Sequence, residues 1–193
     1  MNYSKDRCKL SGQKLSRRNF LKLGLFTTAV SIFPFPSFAD IRDSRSRENI
    51  LSFYNIHTRE SLRTVYRDKG EYVPEALKSI NYIMRDYRGD KIKPIDTKLL
   101  DLLYALHSRL NTRQYFHIIS GYRTPATNAF LLRHSSGVAR NSLHMYGKAI
   151  DIRMPNIPLS LVRQTAVDLG VGGVGYYPDS NFVHVDVGEL RYW

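Results

Sequence analysis

The sequence predicts an α+β domain in which a small antiparallel sheet is flanked by helices. Short runs of alternating apolar and polar residues are typical of strands, and apolar residues recur at helical spacing after Pro74 and after Asp96. The length of 193 residues is enough for one domain with a hydrophobic core. The only cysteine is Cys8, so the chain has neither a disulfide framework nor a cysteine-based metal site.

Residues 1–39 are predicted to be an export signal that is not part of the folded domain. Residues 16–22 read Ser-Arg-Arg-Asn-Phe-Leu-Lys, which resembles the twin-arginine signal, and an apolar run and a cleavage-like Ser-Phe-Ala follow. The apolar run at 23–33 is too short to span a bilayer, and the prolines after it would break a helix. We therefore expect a periplasmic protein, exported by the twin-arginine route, with no stable membrane anchor after cleavage.

Removal of the signal peptide would lower the net positive charge of the chain, and the net charge bears on which partners we expect. The whole chain has a formal net charge of +12, whereas residues 40–193 carry 22 basic and 16 acidic residues, a net charge of +6. This excess suits a protein that acts on an acidic polymer such as peptidoglycan, although a solvated basic surface without a partner is equally common. An export signal is hard to reconcile with nucleic-acid binding, so we expect no nucleic acid as partner.

The first half of the exported chain is predicted to form a hairpin and two helices. Residues 40–50 are expected to be a flexible lead-in to a domain that spans residues 51–193. Pro74 is suited to the first turn of a helix that continues toward Gly89, and Asp96 is suited to cap a second helix. The hairpin strands are predicted at 51–57 and 61–67.

The second half is predicted to alternate strands with short helices. Strands are expected at 116–120, 149–154, 174–177 and 181–187, and helices at 127–134 and 160–169. Gly170 is suited to end the last helix. The loop-like residues 135–142 lead directly to a histidine.

That histidine, His144, belongs to a set of residues with the chemistry of a metal site. Asp151 follows it by seven positions, and Gly147 between them lets the chain turn from a loop into a strand. The period of two in a strand places His184 and Asp186 on the face opposite the valines of that segment. Two histidines and one carboxylate are a common ligand set for catalytic zinc. Scattered residues of these types are more often ordinary hydrogen-bonded side chains, so their context decides.

Three segments provide that context. They are Ser120-Gly-Tyr-Arg-Thr-Pro, Ser142-Leu-His-Met-Tyr-Gly-Lys-Ala-Ile-Asp and Phe182-Val-His-Val-Asp. In this order they resemble the D-alanyl-D-alanine peptidase (LAS/hedgehog-type) family of zinc enzymes, especially its MepK-type (YcbK-like) murein endopeptidases. The resemblance implies the hedgehog-type α+β fold and hydrolysis of peptide cross-links in peptidoglycan through a metal-activated water, and we expect the protein to be a monomer. It also implies that His144, Asp151 and His184 bind Zn²⁺.

The resemblance leaves the general base open. Many relatives carry an acid or a histidine at the positions that Asn181 and Phe182 occupy here, and neither of these side chains can accept a proton from water. Asp186 is the nearest carboxylate in the motif, and we nominate it as the base. The alternative is that Asp186 accepts a hydrogen bond that orients a ligand histidine.

Three further residues are predicted to contact the substrate. The resemblance places Arg123 beside the substrate carbonyl, where its charge would stabilise an oxyanion, and a surface salt bridge is its alternative role. Ser142 and Tyr122 are candidates for binding the substrate peptide, with turn capping and packing as their respective alternatives. The tyrosines at 176 and 177 either line a groove for the peptide or belong to the core.

Two functions other than an endopeptidase remain open from the sequence. The first is a D,D- or L,D-carboxypeptidase or a dipeptidase of the same family, whose pocket would hold a free carboxylate. The second is a non-catalytic envelope-binding module that keeps its zinc, a reading favoured by the missing acid at Asn181. The sequence also does not decide between D,D- and L,D-cross-links.

Overall fold

The computed structural model describes residues 48–135 and 137–193, and this part of the chain contains eight strands and four α-helices. The strands are β1 (Glu48–Asn55), β2 (Ser61–Asp68), β3 (Glu71–Tyr72), β4 (Phe116–Ser120), β5 (Ala149–Arg153), β6 (Gly173–Tyr177), β7 (Phe182–Asp186) and β8 (Arg191–Tyr192). The α-helices are α1 (Pro74–Ile83), α2 (Thr97–Arg109), α3 (Pro125–His134) and α4 (Leu159–Leu169). A short 3-10 helix spans Leu143–Tyr146.

The predicted signal peptide lies outside the described residues, as does the lead-in from 40 to 47. The lead-in was predicted to extend to residue 50, but β1 begins at Glu48, so the last three residues of that segment belong to the sheet. Within the described residues, none of the helices has the length and apolar character that a membrane span requires.

The sheet is larger than the sequence predicted, and it is mixed. Its strand order is β3-β2-β1-β4-β5-β7-β6-β8, and the pairs β1–β4 and β6–β8 are parallel while the other pairs are antiparallel. The prediction of a small antiparallel sheet was therefore wrong in size and in pairing. The edge strands β3 and β8 have two residues each, too few to show a period of two, and parallel pairing depends on crossover connections that a local pattern does not reveal.

The helix boundaries follow the capping residues. Pro74 begins α1, and the Asp96 carboxylate accepts a hydrogen bond from the Lys98 N–H (2.9 Å) at the start of α2, as predicted. The third helix begins at Pro125, two residues earlier than predicted, because the Thr124 hydroxyl caps it. Gly170, with φ 62°, ends α4, as predicted.

The core lies on the face of the sheet that α2 and α4 cover. The leucine stripe of α2 is fully buried, and α4 packs against β6 and β7. Val183 and Val185 of β7 are also fully buried, as predicted for the valine face. Burying a side chain of this size contributes roughly 1.5–3 kcal/mol, so the strands at the centre of the sheet are firmly held. The opposite face of β7 carries His184.

Candidate metal centre

The structure brings together the three residues that were predicted as metal ligands. His144 Nε2 lies 3.2 Å from Asp151 Oδ1 and 3.2 Å from His184 Nδ1, and the latter two atoms are 2.9 Å apart. All three side chains are buried. Ligand atoms about 2.0–2.2 Å from one metal ion lie roughly 3 Å from each other, so these donors could hold a metal ion with little movement.

Two different local structures bring the donors together. Asp151 and His184 are directly paired residues of the adjacent strands β5 and β7. His144 comes from the 3-10 helix, and the chain returns into β5 through Gly147 at φ 66°. A Cβ on Gly147 would lie 2.4 Å from the carbonyl oxygen of Pro94, so this turn requires glycine on two grounds.

Hydrogen bonds on the far side of each imidazole direct its lone pair toward the centre. His144 Nδ1 lies 2.7 Å from the Gly121 carbonyl oxygen, which can only accept, so Nδ1 donates and Nε2 presents a lone pair. The Nε2 of His184 lies 2.9 Å from Asp186 Oδ2, an arrangement that leaves Nδ1 for the centre. Ligand histidines in metal proteins commonly have such an outer partner.

The electrostatics of this cluster favour one added positive charge. Burial lowers the pKa of His144, against the attraction of Asp151. Burial also opposes charge on His184, but hydrogen bonds to Asp151 and Asp186 outweigh it and raise its pKa to about 9. The pKa of Asp151 lies below its ordinary value, because the two histidines and Arg123 outweigh its burial. A proton or a metal cation would satisfy the same buried carboxylate.

Arg123 lies against the metal centre and also lines the groove above it. One of its NH groups donates to Asp151 Oδ2, and its Nε–H donates to the Ser120 hydroxyl at 2.7 Å. Its side chain is only 13% exposed, so the alternative of a surface salt bridge does not describe it. The guanidinium both fixes the second oxygen of Asp151 and carries charge to the groove wall.

The contacts of Asp186 favour its alternative role, orientation of His184, over the predicted role of general base. Its side chain is fully buried and bonded to the ring nitrogen of His184 that faces away from the centre. Arg191 donates to the same oxygen at 2.6 Å, and the other oxygen accepts from the Gly173 and Gly188 N–H groups at 3.0 and 2.8 Å. Burial raises its pKa, but the hydrogen bonds from His184, Gly188 and Gly173 outweigh burial and lower the pKa to about 2. The geometry supports the alternative role, orientation of His184.

A groove of about 620 Å³ runs over the metal centre. Ser142 lines it, and since its side chain makes no capping hydrogen bond, the alternative role of turn capping is not observed. Tyr122 does not line this groove. It packs against the core, and its N–H donates to the Met84 carbonyl at 2.8 Å, contacts that favour its alternative role of packing over substrate binding. Among the described residues, Asp151 is the only acidic side chain in the groove wall.

Trp193, Arg88 and other residues of the groove wall were not predicted from the sequence, whereas Tyr177 was already a candidate for it. The Trp193 ring lies 5.4 Å from that of His184, and its Nε1–H donates to the Tyr177 hydroxyl at 2.7 Å. Tyr177 lines the groove and stacks on Phe182, whereas Tyr176 packs against the core. At another part of the wall lie His57, Tyr87 and Arg88. The high tyrosine content was the only signal in the sequence for this wall.

Comparison with known proteins decides the family. The family model described as Peptidoglycan L,D-endopeptidase MepK, of the peptidase M15_2 type, matches residues 43–193. The chain belongs to this family. The match spans all described residues and includes the three converging donors.

Individual members of the MepK family are similar over nearly their whole length. Peptidoglycan L,D-endopeptidase MepK of Escherichia coli (strain K12) is 44% identical over 178 residues, which are 92% of this chain and 97% of the relative. Probable peptidoglycan L,D-endopeptidase MepK of Haemophilus influenzae is 40% identical over 179 residues, 92% of this chain and 95% of the relative. The α+β fold and the family predicted from the three sequence segments are thereby confirmed.

Proposed function

We propose that the protein is a zinc-dependent peptidoglycan L,D-endopeptidase. The observation that carries this proposal is the convergence of two imidazole lone pairs and one carboxylate oxygen at the floor of a groove. The MepK relatives are named for this activity, and the matched segment contains the whole groove.

The donor set fits zinc best. Two nitrogens and one carboxylate oxygen suit Zn²⁺, whereas Mg²⁺ and Ca²⁺ prefer oxygen donors only. Three protein ligands leave a coordination position free, as catalytic zinc sites require. Zinc would supply Lewis acidity and a lowered pKa of a coordinated water. We assign the ligand roles to His144, Asp151 and His184.

The other residues hold this centre and the substrate. Arg123 fixes Asp151 and is suited to hold the carbonyl oxygen of the scissile bond, where negative charge develops. Ser142 lies in the groove wall with a hydroxyl suited to the peptide backbone. Asp186 acts through His184 and does not touch the substrate. Asp151 is the only acid in the described groove wall, and both of its oxygens are already bonded. The described groove wall therefore offers no free carboxylate as a general base.

The test is digestion of purified peptidoglycan by the zinc-loaded protein, with the released muropeptides identified by mass spectrometry. We expect separated monomers from L,D-cross-linked dimers. A His144→Ala protein is the matched inactive control, and His134→Ala is the control for removal of a histidine outside the groove. Release of single terminal amino acids would instead support the carboxypeptidase, and zinc binding without any product would support the binding module.

We also propose that the protein is periplasmic and is exported by the twin-arginine route. The support is the sequence of residues 16–22 and the peptidoglycan substrate in the names of the relatives. Replacement of Arg17 and Arg18 by lysine should block export and leave the precursor in the cytoplasm, because the arginine pair carries the signal. Cell fractionation measures this. Normal periplasmic accumulation of the double variant would contradict the twin-arginine route.

A further inference from the structure

One part of the groove carries a positive charge that the metal centre does not use. The groove wall contains three arginines among its described residues: Arg88, Arg123 and Arg191. Arg123 is bonded to Asp151, and Arg191 is bonded to Asp186. Within the described residues Arg88 has no carboxylate within 4.0 Å, so its charge is available to a ligand.

Arg88 is held in a defined position by an aromatic stack. Its guanidinium carbon lies 4.5 Å from the centre of the Tyr87 ring, and the His57 ring stacks on Tyr87 at 4.0 Å with an interplanar angle of 14°. His57 Nε2 donates in turn to the Ile119 carbonyl at 3.0 Å, which ties the stack to the end of β4. An arginine on an aromatic face keeps its edge N–H groups for a planar anion.

The backbone beside Arg88 is also fixed. Asp86 Oδ1 accepts from the N–H groups of Arg88 (3.0 Å) and Gly89 (3.4 Å). The other Asp86 oxygen accepts from both the N–H and the hydroxyl of Thr124, each at 2.8 Å. Asp86 therefore joins the turn that carries Arg88 to the loop that carries Arg123.

We propose that His57, Tyr87 and Arg88 form a subsite that binds a free carboxylate of the peptidoglycan peptide, with Arg88 as its charge partner. This inference rests on the proposed function, since it names the substrate group that the groove selects. Arg88 is a specificity-determining residue here and takes no part in bond cleavage.

The sheet sets the distance between this subsite and the scissile bond. His57 follows β1, which is separated from β5 and its Asp151 by β4 alone. Neighbouring strands lie about 4.8 Å apart, so the His57 side of the subsite is roughly 10 Å from the metal centre. An extended peptide covers about 3.3–3.6 Å per residue, so the recognised carboxylate lies up to about three residues from the scissile bond.

Two sources of such a carboxylate exist in peptidoglycan stem peptides: a side-chain carboxylate and the C-terminal carboxylate. The experiment uses a synthetic cross-linked peptide dimer with free carboxylates, one version with the side-chain carboxylate amidated, and one with the C-terminus amidated. Steady-state cleavage is measured with the zinc-loaded full-length chain and its Arg88→Gln, Arg88→Lys and Arg63→Gln variants. Arg63 is exposed on β2 outside the groove and serves as the matched control.

We expect Arg88→Gln to raise KM by roughly tenfold to a hundredfold on the free peptide with kcat nearly unchanged, the scale of one lost charged hydrogen bond. Amidation of the recognised carboxylate should raise the wild-type KM by a similar factor and leave Arg88→Gln unaffected. Arg88→Lys should keep part of the affinity, and Arg63→Gln all of it. The proposed subsite would be overturned if Arg88→Gln raised KM equally on all three peptides, or if it left KM unchanged.

Peptide binding to the wild-type and Arg88→Gln proteins in the presence of EDTA, measured by calorimetry, separates this inference from the proposed function. If binding depends on Arg88 but the zinc-loaded wild type cleaves nothing, the subsite is supported and the endopeptidase function is refuted. If the wild type cleaves the peptide but binding does not depend on Arg88, the endopeptidase function is supported and the subsite is refuted.

Discussion

The two ends of the groove are built in different ways. At the metal centre, His144, Asp151 and His184 are at most 9% exposed, and each has a second polar partner that fixes its orientation. At the other end, His57 and Arg88 are exposed and rest on the Tyr87 ring. Metal coordination and bond cleavage need donors held within a fraction of an ångström, whereas a point charge attracts an anion over a wider range of positions.

The contrast also explains where hydrogen bonds are concentrated. Buried donors and acceptors without partners are costly, so the metal centre is surrounded by bonded groups such as Asp186 and Arg123. The exposed Arg88 guanidinium remains hydrated, and stacking on the Tyr87 ring supports it. We therefore expect substitutions at the metal centre to disturb several properties together, and substitutions at the other end to change substrate affinity alone.

Removal of a ligand should give the largest effect. A zinc site with four ligands has a binding free energy of ~10–16 kcal/mol, or roughly 2.5–4 kcal/mol for each ligand if they contribute equally. We therefore expect His144→Ala, Asp151→Ala or His184→Ala to weaken zinc binding by roughly two to three orders of magnitude and to abolish cleavage. Competition with a chromophoric chelator measures the affinity, with His134→Ala as the control. Full zinc occupancy in all three variants at low free zinc would refute the ligand assignment.

Replacement of Asp186 by asparagine tests whether it is a positioning residue. The amide cannot reproduce both the charge-assisted bond to His184 and the ion pair with Arg191, so we expect zinc affinity and turnover to fall together by about tenfold to a hundredfold. Chelator competition and steady-state kinetics on the same variant measure both. Unchanged zinc affinity with turnover reduced by roughly two to four orders of magnitude would instead support the role of general base.

Asp86 joins the two ends, and its substitution should reveal that link through stability. Burial raises the pKa of Asp86, but hydrogen bonds from Thr127, Thr124 and the Arg88 N–H outweigh it and hold the pKa below the ordinary 3.8. Ionised Asp86 therefore stabilises the fold fully above pH 3.8, and that contribution is lost as pH falls through the lowered pKa.

We expect Asp86→Asn to lower the free energy of unfolding by about 1–3 kcal/mol at neutral pH, and the difference from the wild type to shrink in acid below the ordinary pKa. Urea unfolding across pH measures it. The exposed Asp179, outside the groove, provides the matched Asp179→Asn control. A difference that is independent of pH would show that the charge of Asp86 is not responsible.

The smallest effect is expected at Gly175, which lies under the Trp193 ring. A Cβ at this position would come within 2.7 Å of the indole, so Gly175→Ala should displace it and alter the groove wall beside His184. Trp193 is the only tryptophan, and its fluorescence should therefore shift, with a change of severalfold in KM. Gly89→Ala, whose Cβ would meet only ordinary contacts, should leave the fluorescence unchanged. An unshifted spectrum for Gly175→Ala would contradict this packing.

Much of the fold and of the metal centre could be predicted because the signals are local. The strand at 182–186 has a strict period of two, and α2 has both a capping aspartate and a leucine stripe. Likewise, the spacing of His144 and Asp151 reflects one short turn through Gly147. The edge strands β3 and β8 and the parallel pairing were not predictable, since two residues show no period and crossovers depend on the whole chain.

The sequence by itself placed His184 and Asp186 on one strand face, because of the period of two, and its resemblance to a zinc-peptidase family supplied the set of metal ligands. Only the tertiary structure showed which groups surround these two side chains. The strand face predicts the direction in which a side chain points but not its neighbours. Asp186 is buried outside the groove, where it is bonded to Gly173 and Arg191. In the same way, only folding brought Arg88 and Trp193 to the groove that contains Asp151, a residue far from both of them in the chain.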